Sequence, residues 1–223
     1  MGATGGDLAA LLLSLVEVNI ELTATAIAAA LPVACLFALG RMSRHWIVYY
    51  PITVYVNVLR SSPLLMIMFW AYYTGPMITG SPTSAYTAGV VALAAFEAAY
   101  FTELIRSGIQ SIPASQRRAA LATGLAPRQA AWLIVLPQAL RRMLPSLLSQ
   151  SIIAFQDSTI ASVIGVTDVF QMTNIISARE QRPIALYTAV AVLFFVICFA
   201  LSHAVRRIER GTAQRIAGGA PPN

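Results

Sequence analysis

Three carboxylates lie in stretches of the chain that are otherwise apolar: Glu97, Glu103 and Asp157. An ionised carboxylate in hydrocarbon costs at least about 2.5–3.5 kcal/mol, so such a residue faces a bundle interior, a water-filled cavity or an ionic partner. Glu103 precedes Arg106 by about one helical turn. This spacing favours a structural ion pair between the two side chains.

The other two carboxylates have no obvious ionic partner close by in sequence. Two interpretations fit Glu97 equally well: a place in a translocation cavity, in contact with the ammonium group of a substrate, or a buried and hydrogen-bonded packing residue. Asp157 stands in the polar run Gln156-Asp157-Ser158-Thr159. We favour a role for this run in lining or gating a path, over the capping of a break in a helix.

No stretch of the chain has the spacing of a phosphate-binding loop, a zinc site or a nucleophile elbow. We therefore predict no catalytic residue, no metal site and no cofactor bound by this chain.

The composition excludes a soluble, a disordered and a disulfide-stabilised protein. Of the 223 residues, 57% are hydrophobic and 11% charged, with two cysteines and a mean hydropathy of +0.69. A soluble domain carries roughly 25% charged residues. At about 20 apolar residues per membrane span, the length fits five spans with short loops. We therefore predict an all-α, polytopic membrane helix bundle whose partner is the lipid bilayer, not nucleic acid.

Five apolar segments are candidate transmembrane helices, and residues 45–60 are predicted to form an interfacial helix that leads into the second of them. Residues 1–21, whose apolar run 8–16 is too short to span, are expected at the outer interface. The bundle is expected over 22–207, followed by a tail at 208–223. The predicted spans are 22–40, 61–79, 85–105, 143–166 and 184–205.

The arginines set the predicted orientation. Thirteen of the fifteen fall after the first, third or fifth span, which leaves only Arg179 and Arg182 on the opposite side. Because basic loops stay in the cytoplasm, the N-terminus is predicted outside and the C-terminus inside.

The long cytoplasmic segment at about 111–137 is too apolar for a free loop and too rich in arginine for a span. It predicts a helix over 114–123 that ends at a left-handed Gly124, then a second helix from Pro127 to about Leu136, interrupted by Pro137. The small side chains of the first helix fit a knob that docks against another protein. They fit equally a surface helix whose arginines pair with lipid phosphates.

This segment resembles the signature of permease subunits of ATP-binding-cassette (ABC) importers. That pattern is Glu-Ala-Ala, three residues, Gly, nine residues and Ile-x-Leu-Pro. The chain has Arg118-Ala119-Ala120, Gly124 and Ile134-Val135-Leu136-Pro137 at this spacing, with Arg118 where the pattern has Glu.

Other segments resemble the polar amino-acid branch of that family, namely Arg60–Leu64, Arg106–Pro113 and Gln156–Ile160. Two more, Phe96–Tyr100 and Phe155–Asp157, resemble the glutamate/aspartate permeases in particular.

The resemblance implies a subunit of the bacterial inner membrane that is not itself an enzyme. It implies a second permease subunit, identical or related, an ATPase dimer that binds ATP and Mg²⁺, and a periplasmic amino-acid-binding protein. The implied substrate is glutamate or aspartate. The alternatives are other polar amino acids (glutamine, histidine or arginine) and, from a different class, a membrane scaffold that transports nothing.

Two sets of residues follow from these patterns. The residues expected to couple to the ATPase are Arg117, Arg118, Ala119, Ala120, Gly124, Ile134, Leu136 and Pro137. The candidates for the substrate path or gate are Glu97, Tyr100, Gln156, Asp157, Ser158 and Thr159.

Overall fold

A computed structural model describes residues 11–217. Within this range the chain is entirely helical, which confirms the predicted all-α class. Residues 1–10 and 218–223, which belong to the predicted outer segment and tail, lie outside the described residues. The helices are α1 (Leu11–Gly40), α2 (Trp46–Ser61), α3 (Leu64–Thr79), α4 (Ala85–Gln110), α5 (Ala114–Ala122), α6 (Pro127–Ile164), α7 (Val169–Glu180) and α8 (Pro183–Ala217).

Four of these helices are long and apolar enough to cross a membrane by themselves: α1, α4, α6 and α8. The predicted interfacial helix (45–60) is α2, and the predicted second span (61–79) is α3. The two helices meet at 111° and pass the same test only together. Ser62 is extended at the bend, with φ −99° and ψ 142°. The cause is Pro63, whose ring disfavours the helical conformation of the residue before it. The prediction of about five spans is met if the pair counts as one.

Helix α4 is the centre of the bundle and packs against α1, α2, α3 and α6. Its most extensive contact is with α1, which presents a stripe of small buried residues at every fourth position: Ala26, Ala30, Ala34 and Ala38. In a membrane, side chains of this size let two helices approach closely and gain van der Waals contact.

Helix α6 continues without interruption through Pro137, so the expectation that this proline ends a short helix is wrong. A π-helical turn at Ala131–Val135 immediately precedes it. Because proline lacks an N–H and clashes with the carbonyl four residues earlier, a local change of hydrogen-bond register accommodates it. At its other end, α6 tightens into a 3₁₀ segment, Ser158–Ile164, and stops at Gly165, where φ is +95°.

The described part of residues 1–21 is continuous with the first span. Helix α1 includes a π-helical turn at Leu15–Ile20, and Leu11 and Leu15 are buried in a cluster with side chains of α7 and α8. The predicted first span, which starts at residue 22, is therefore part of a longer helix.

Two glycines on α4 have different room for a side chain. A Cβ at Gly108 would lie 2.7 Å from the Met143 Cβ, whereas a Cβ at Gly89 would lie 3.4 Å from the Ala161 Cβ. We expect G108A to force α4 and α6 apart and to lower stability by about 1–3 kcal/mol. G89A is the matched control, and because alanine favours helix it should be neutral or stabilising by about 0.5–1 kcal/mol. The apparent melting temperatures of the purified variants check this; equal temperatures would contradict the close contact at Gly108.

Candidate functional site

The short helix predicted at 114–123 is present as α5, Ala114–Ala122. Of its residues, Arg117, Arg118 and Ala119 are exposed, and Ala120 is buried. Because an exposed alanine offers no bulk, this surface can approach another backbone closely, with two guanidinium groups beside the contact.

Gly124 ends α5 in the left-handed conformation that the sequence predicts, with φ +87°. The Leu125 amide donates to the Ala120 carbonyl at 3.3 Å, and the Gly124 amide donates to the Leu121 carbonyl at 3.1 Å. These two bonds form a Schellman motif, which satisfies the last carbonyls of the helix. A residue with a Cβ is strained at such a φ.

Polar contacts flank α5 on both sides in the chain, outside the helix itself. The Arg142 guanidinium on α6 donates to the Ser111 carbonyl at 2.9 Å, and the Gln129 side chain accepts from the Ala126 amide at 2.9 Å. The other motif residues, Ile134, Leu136 and Pro137, lie in the first turns of α6, so the whole coupling set spans α5 and the start of one long helix.

The predicted pair between Glu103 and Arg106 is present, and it is part of a larger cluster. Glu103 also accepts from Arg41, which follows α1. Arg106 donates in addition to Gln110 at 2.5 Å. Arg41 is 62 residues from Glu103, so no local spacing pointed to it.

Glu97 is fully buried and does not face an open cavity in the described part of the chain. The Gln150 amide of α6 donates to both of its carboxylate oxygens, at 3.1 and 3.3 Å. This contact ties the middle of α4 to α6.

Tyr100 lies one turn further along α4, on an aromatic surface. Its ring centroid is 4.9 Å from that of Phe96, and the Arg60 guanidinium carbon lies 5.1 Å above its ring. An arginine at this distance is attracted electrostatically to the face of the ring.

The four polar residues at 156–159 share one turn at the junction of α6 with its 3₁₀ segment, but they face different surroundings. Ser158 is fully buried, whereas Gln156 is exposed beside α8. Thr159 donates to the Gln156 carbonyl at 2.8 Å. Asp157 is half-buried, and within residues 11–217 its carboxylate accepts no hydrogen bond from another side chain.

A buried polar network around Asn19 was not predicted from the sequence. Asn19, Ser158 and Asp168 are each fully buried and connected by hydrogen bonds. Burial raises the pKa of the Asp168 carboxyl, and hydrogen bonds from the Gln171 amide and from Asn19 oppose that rise. An uncharged amide in an apolar helix is the signal that would have found it, because such a group also needs a partner in hydrocarbon.

The comparisons with known proteins agree with this architecture. Residues 30–214 match the family described as the inner membrane component of binding-protein-dependent transport systems, and the chain belongs to that family. It is the permease subunit of an ABC importer, a multi-pass protein of the bacterial inner membrane.

Its relatives include permeases of several amino-acid importers. The chain is 36% identical over 203 residues to the glutamate/aspartate import permease protein GltK of Escherichia coli O6:H1, which covers 88% of this chain and 91% of that protein. It is 31% identical over 201 residues to the glutamine transport system permease protein GlnP of Escherichia coli K12, covering 90% and 92%. Its fold is similar to a crystal structure of an amino acid ABC transporter with histidines, with a TM-score of 0.83, 30% identity and coverage of 94% and 99%.

The ion cluster around Glu103 predicts a stability difference between two carboxylates. In E103Q the partly buried Arg41 and Arg106 lose their counter-charge, so we expect a loss of about 1–3 kcal/mol. The matched control is E180Q, because Glu180 pairs with Arg179 at 3.2 Å on an exposed surface, where such pairs contribute about 0–1 kcal/mol. Thermal unfolding of both purified variants measures the difference. A loss in E103Q no larger than in E180Q would rule out a structural role for the cluster.

Proposed function

We propose that this chain is the pore-forming subunit of an importer for acidic amino acids, driven by an ATPase dimer at its α5 end and supplied by a binding protein at its α7 end. A second copy or a related permease completes the pore. The observation that carries the proposal is the continuity of α6. This helix runs from the short connection after α5, residues 123–126, to the polar turn at Asp157.

The coupling function rests on α5 and its connections. Its exposed small face offers a close-fitting contact for a partner surface, and its arginines offer charge beside it. The Schellman motif fixes the end of α5 at Gly124, three residues before α6 begins. The Arg142 guanidinium of α6 bonds to the Ser111 carbonyl just before α5, and α5 itself packs against the first turns of α6. A displacement of α5 therefore reaches α6. ATP and Mg²⁺ bind to the ATPase, not to this chain.

The orientation rests on the arginines and on which residues meet. Arg41 and Arg106 contact the same carboxylate, so the end of α1, the end of α4 and α5 lie together at one end of the bundle. That end carries most of the basic residues and is cytoplasmic. Helix α7 with Arg179 is then periplasmic, and residues 1–21 belong to the periplasmic interface, whereas residues 111–137 and 208–223 are cytoplasmic.

The substrate class rests on the relatives and on the polar turn of α6. A half-buried carboxylate without a side-chain partner is costly inside a membrane unless it faces a cavity. Asp157 is such a carboxylate, so we assign it to the lining of the path, where it contacts the ammonium group of an amino acid. Glu97, enclosed with Gln150, belongs to a gate between α4 and α6. The glutamine permease relatives favour a second candidate, an importer for uncharged polar amino acids.

The transport cycle requires two states of the bundle with different affinity for the closed ATPase dimer. Binding of ATP draws the ATPases together, moves α5 and α6, and opens the bundle outward. Hydrolysis of ATP returns it to the inward state.

Substitution of Gly124 tests the coupling function. Valine at a φ of +87° is strained by about 1–3 kcal/mol, so in G124V the end of α5 changes conformation. We expect G124V to reach the membrane in normal amount but to lose uptake. The matched control is G80V, because Gly80 ends α3 with φ +69° and also has open space at its Cβ, but is remote from α5 in the chain. Full uptake by G124V, or equal loss in both, would contradict the assignment.

Competition for uptake tests the substrate class. The chain is reconstituted in vesicles with its ATPase and binding protein, and uptake of labelled L-glutamate is followed. We expect excess unlabelled L-aspartate to suppress this uptake and L-glutamine, L-histidine and L-arginine to leave it unchanged. Uptake of labelled glutamine in place of glutamate would establish the second candidate instead.

A further inference from the structure

Asn19 bonds to two separate segments of the chain through one amide group. Its Nδ2 donates to the Ser158 Oγ at 3.0 Å and to the Asp168 Oδ2 at 3.2 Å. Its Oδ1 accepts from the Val169 amide at 3.0 Å. All of these groups are buried, so losing the Asn19 amide leaves donors and acceptors without partners.

The two segments that Asn19 joins have different places in the fold. Ser158 is the first residue of the 3₁₀ segment and directly follows Asp157. Asp168 is the N-cap of α7, where its Oδ1 accepts from the Gln171 amide at 2.9 Å, and Val169 is the first residue of that helix. The amide of Asn19 therefore fixes the start of α7 relative to the turn that carries Asp157.

The backbone of α1 is irregular where it presents Asn19. The residue lies in the π-helical turn Leu15–Ile20, and Thr23 donates to its carbonyl at 2.6 Å. Turns of this kind insert one extra residue into a helix and recur at functional sites. The regular α-helix resumes at Glu21.

We propose that Asn19 is a positioning residue that transmits docking of the binding protein on α7 to the Asp157 turn of the substrate path. The inference rests on the proposed function, because it takes α7 as the periplasmic surface and Asp157 as a path residue. Docking that shifts α7 shifts Asp168, and Asn19 passes this shift to Ser158. Asn19 itself is fully buried, so in this proposal it acts by positioning its partners and not by touching substrate.

The test exchanges donor and acceptor within the network. N19D places two carboxylates against each other, and D168N places two amides against each other, so each single variant breaks the link. The double variant N19D/D168N restores it in reversed form. The amide introduced at position 168 caps α7 and donates to the carboxylate introduced at position 19. That carboxylate still accepts from the Val169 amide, and the Ser158 hydroxyl turns to donate to it.

The measurement is ATP hydrolysis by the complete complex in lipid nanodiscs, as the ratio of the rate with glutamate-loaded binding protein to the rate without it. We expect this ratio to fall about fivefold or more in N19D and D168N. It should recover in the double variant to within about twofold of wild type. The amount of assembled complex, measured by co-purification of the ATPase, is the control for folding.

Two milder variants provide the test if N19D and D168N fail to assemble. S158A removes the contact from Asn19 to the Asp157 turn, together with the local bond from the Ser158 hydroxyl to the Phe155 carbonyl, and leaves the cap of α7 intact. T173A is its matched control, because Thr173 is a fully buried hydroxyl on α7 that bonds only within that helix, to the Val169 carbonyl. We expect a lower stimulation ratio in S158A and a wild-type ratio in T173A.

The outcomes separate this inference from the proposed function. Absence of stimulation in the wild-type complex would overturn both. Normal stimulation of the wild type together with an unchanged ratio in N19D or S158A would overturn the link alone. A double variant that assembles but stays as low as the single variants would also overturn it, because the loss would then not depend on the hydrogen bonds.

Discussion

Close approach of helices through small side chains is the constraint on which the rest of this structure depends. In a bilayer the lipid tails are as apolar as the helices, so the hydrophobic effect does not drive helices together. Two helices associate instead through van der Waals packing and a few buried polar contacts. The alanine stripe of α1 and Gly108 of α4 supply that closeness, since larger residues there would meet neighbouring atoms. The registers that result bring Glu97 to Gln150 and Glu103 to Arg41, and so decide which polar contacts exist.

The same constraint explains what sequence could and could not predict. Apolar length and arginine placement are local signals, and they were enough for α1, α4, α6 and α8 as spans and for α5 as a separate short helix. Gly124 was predictable because one residue type satisfies one backbone requirement. Proline is less informative in a membrane helix. Pro63 ends a helix, whereas Pro32, Pro137 and Pro145 lie within helices. A π-helical turn that no sequence pattern predicts lies just before Pro137.

Polar contacts within one helical turn could be predicted from the sequence, whereas contacts between distant segments could not. The bond from Arg106 to Glu103 spans one turn and follows from spacing. Arg41, Gln150 and Asn19 reach their partners across 62, 53 and about 140–150 residues, so only the packed helices reveal them. A search for charges inside spans also passes over uncharged amides. Asn19 and Gln150 were missed for that reason, although an amide in hydrocarbon has the same need for a partner.

The irregular turns of the helices coincide with these polar contacts. A π-helical turn adds one residue, which rotates the side chains after it by about 100° relative to those before it. In α1 this occurs at Leu15–Ile20, where buried leucines that face α7 and α8 give way to the stripe that faces α4. Asn19 stands at this change of face. From there, one amide reaches both α7 and the end of α6, which a residue on a regular stripe facing only α4 would not contact.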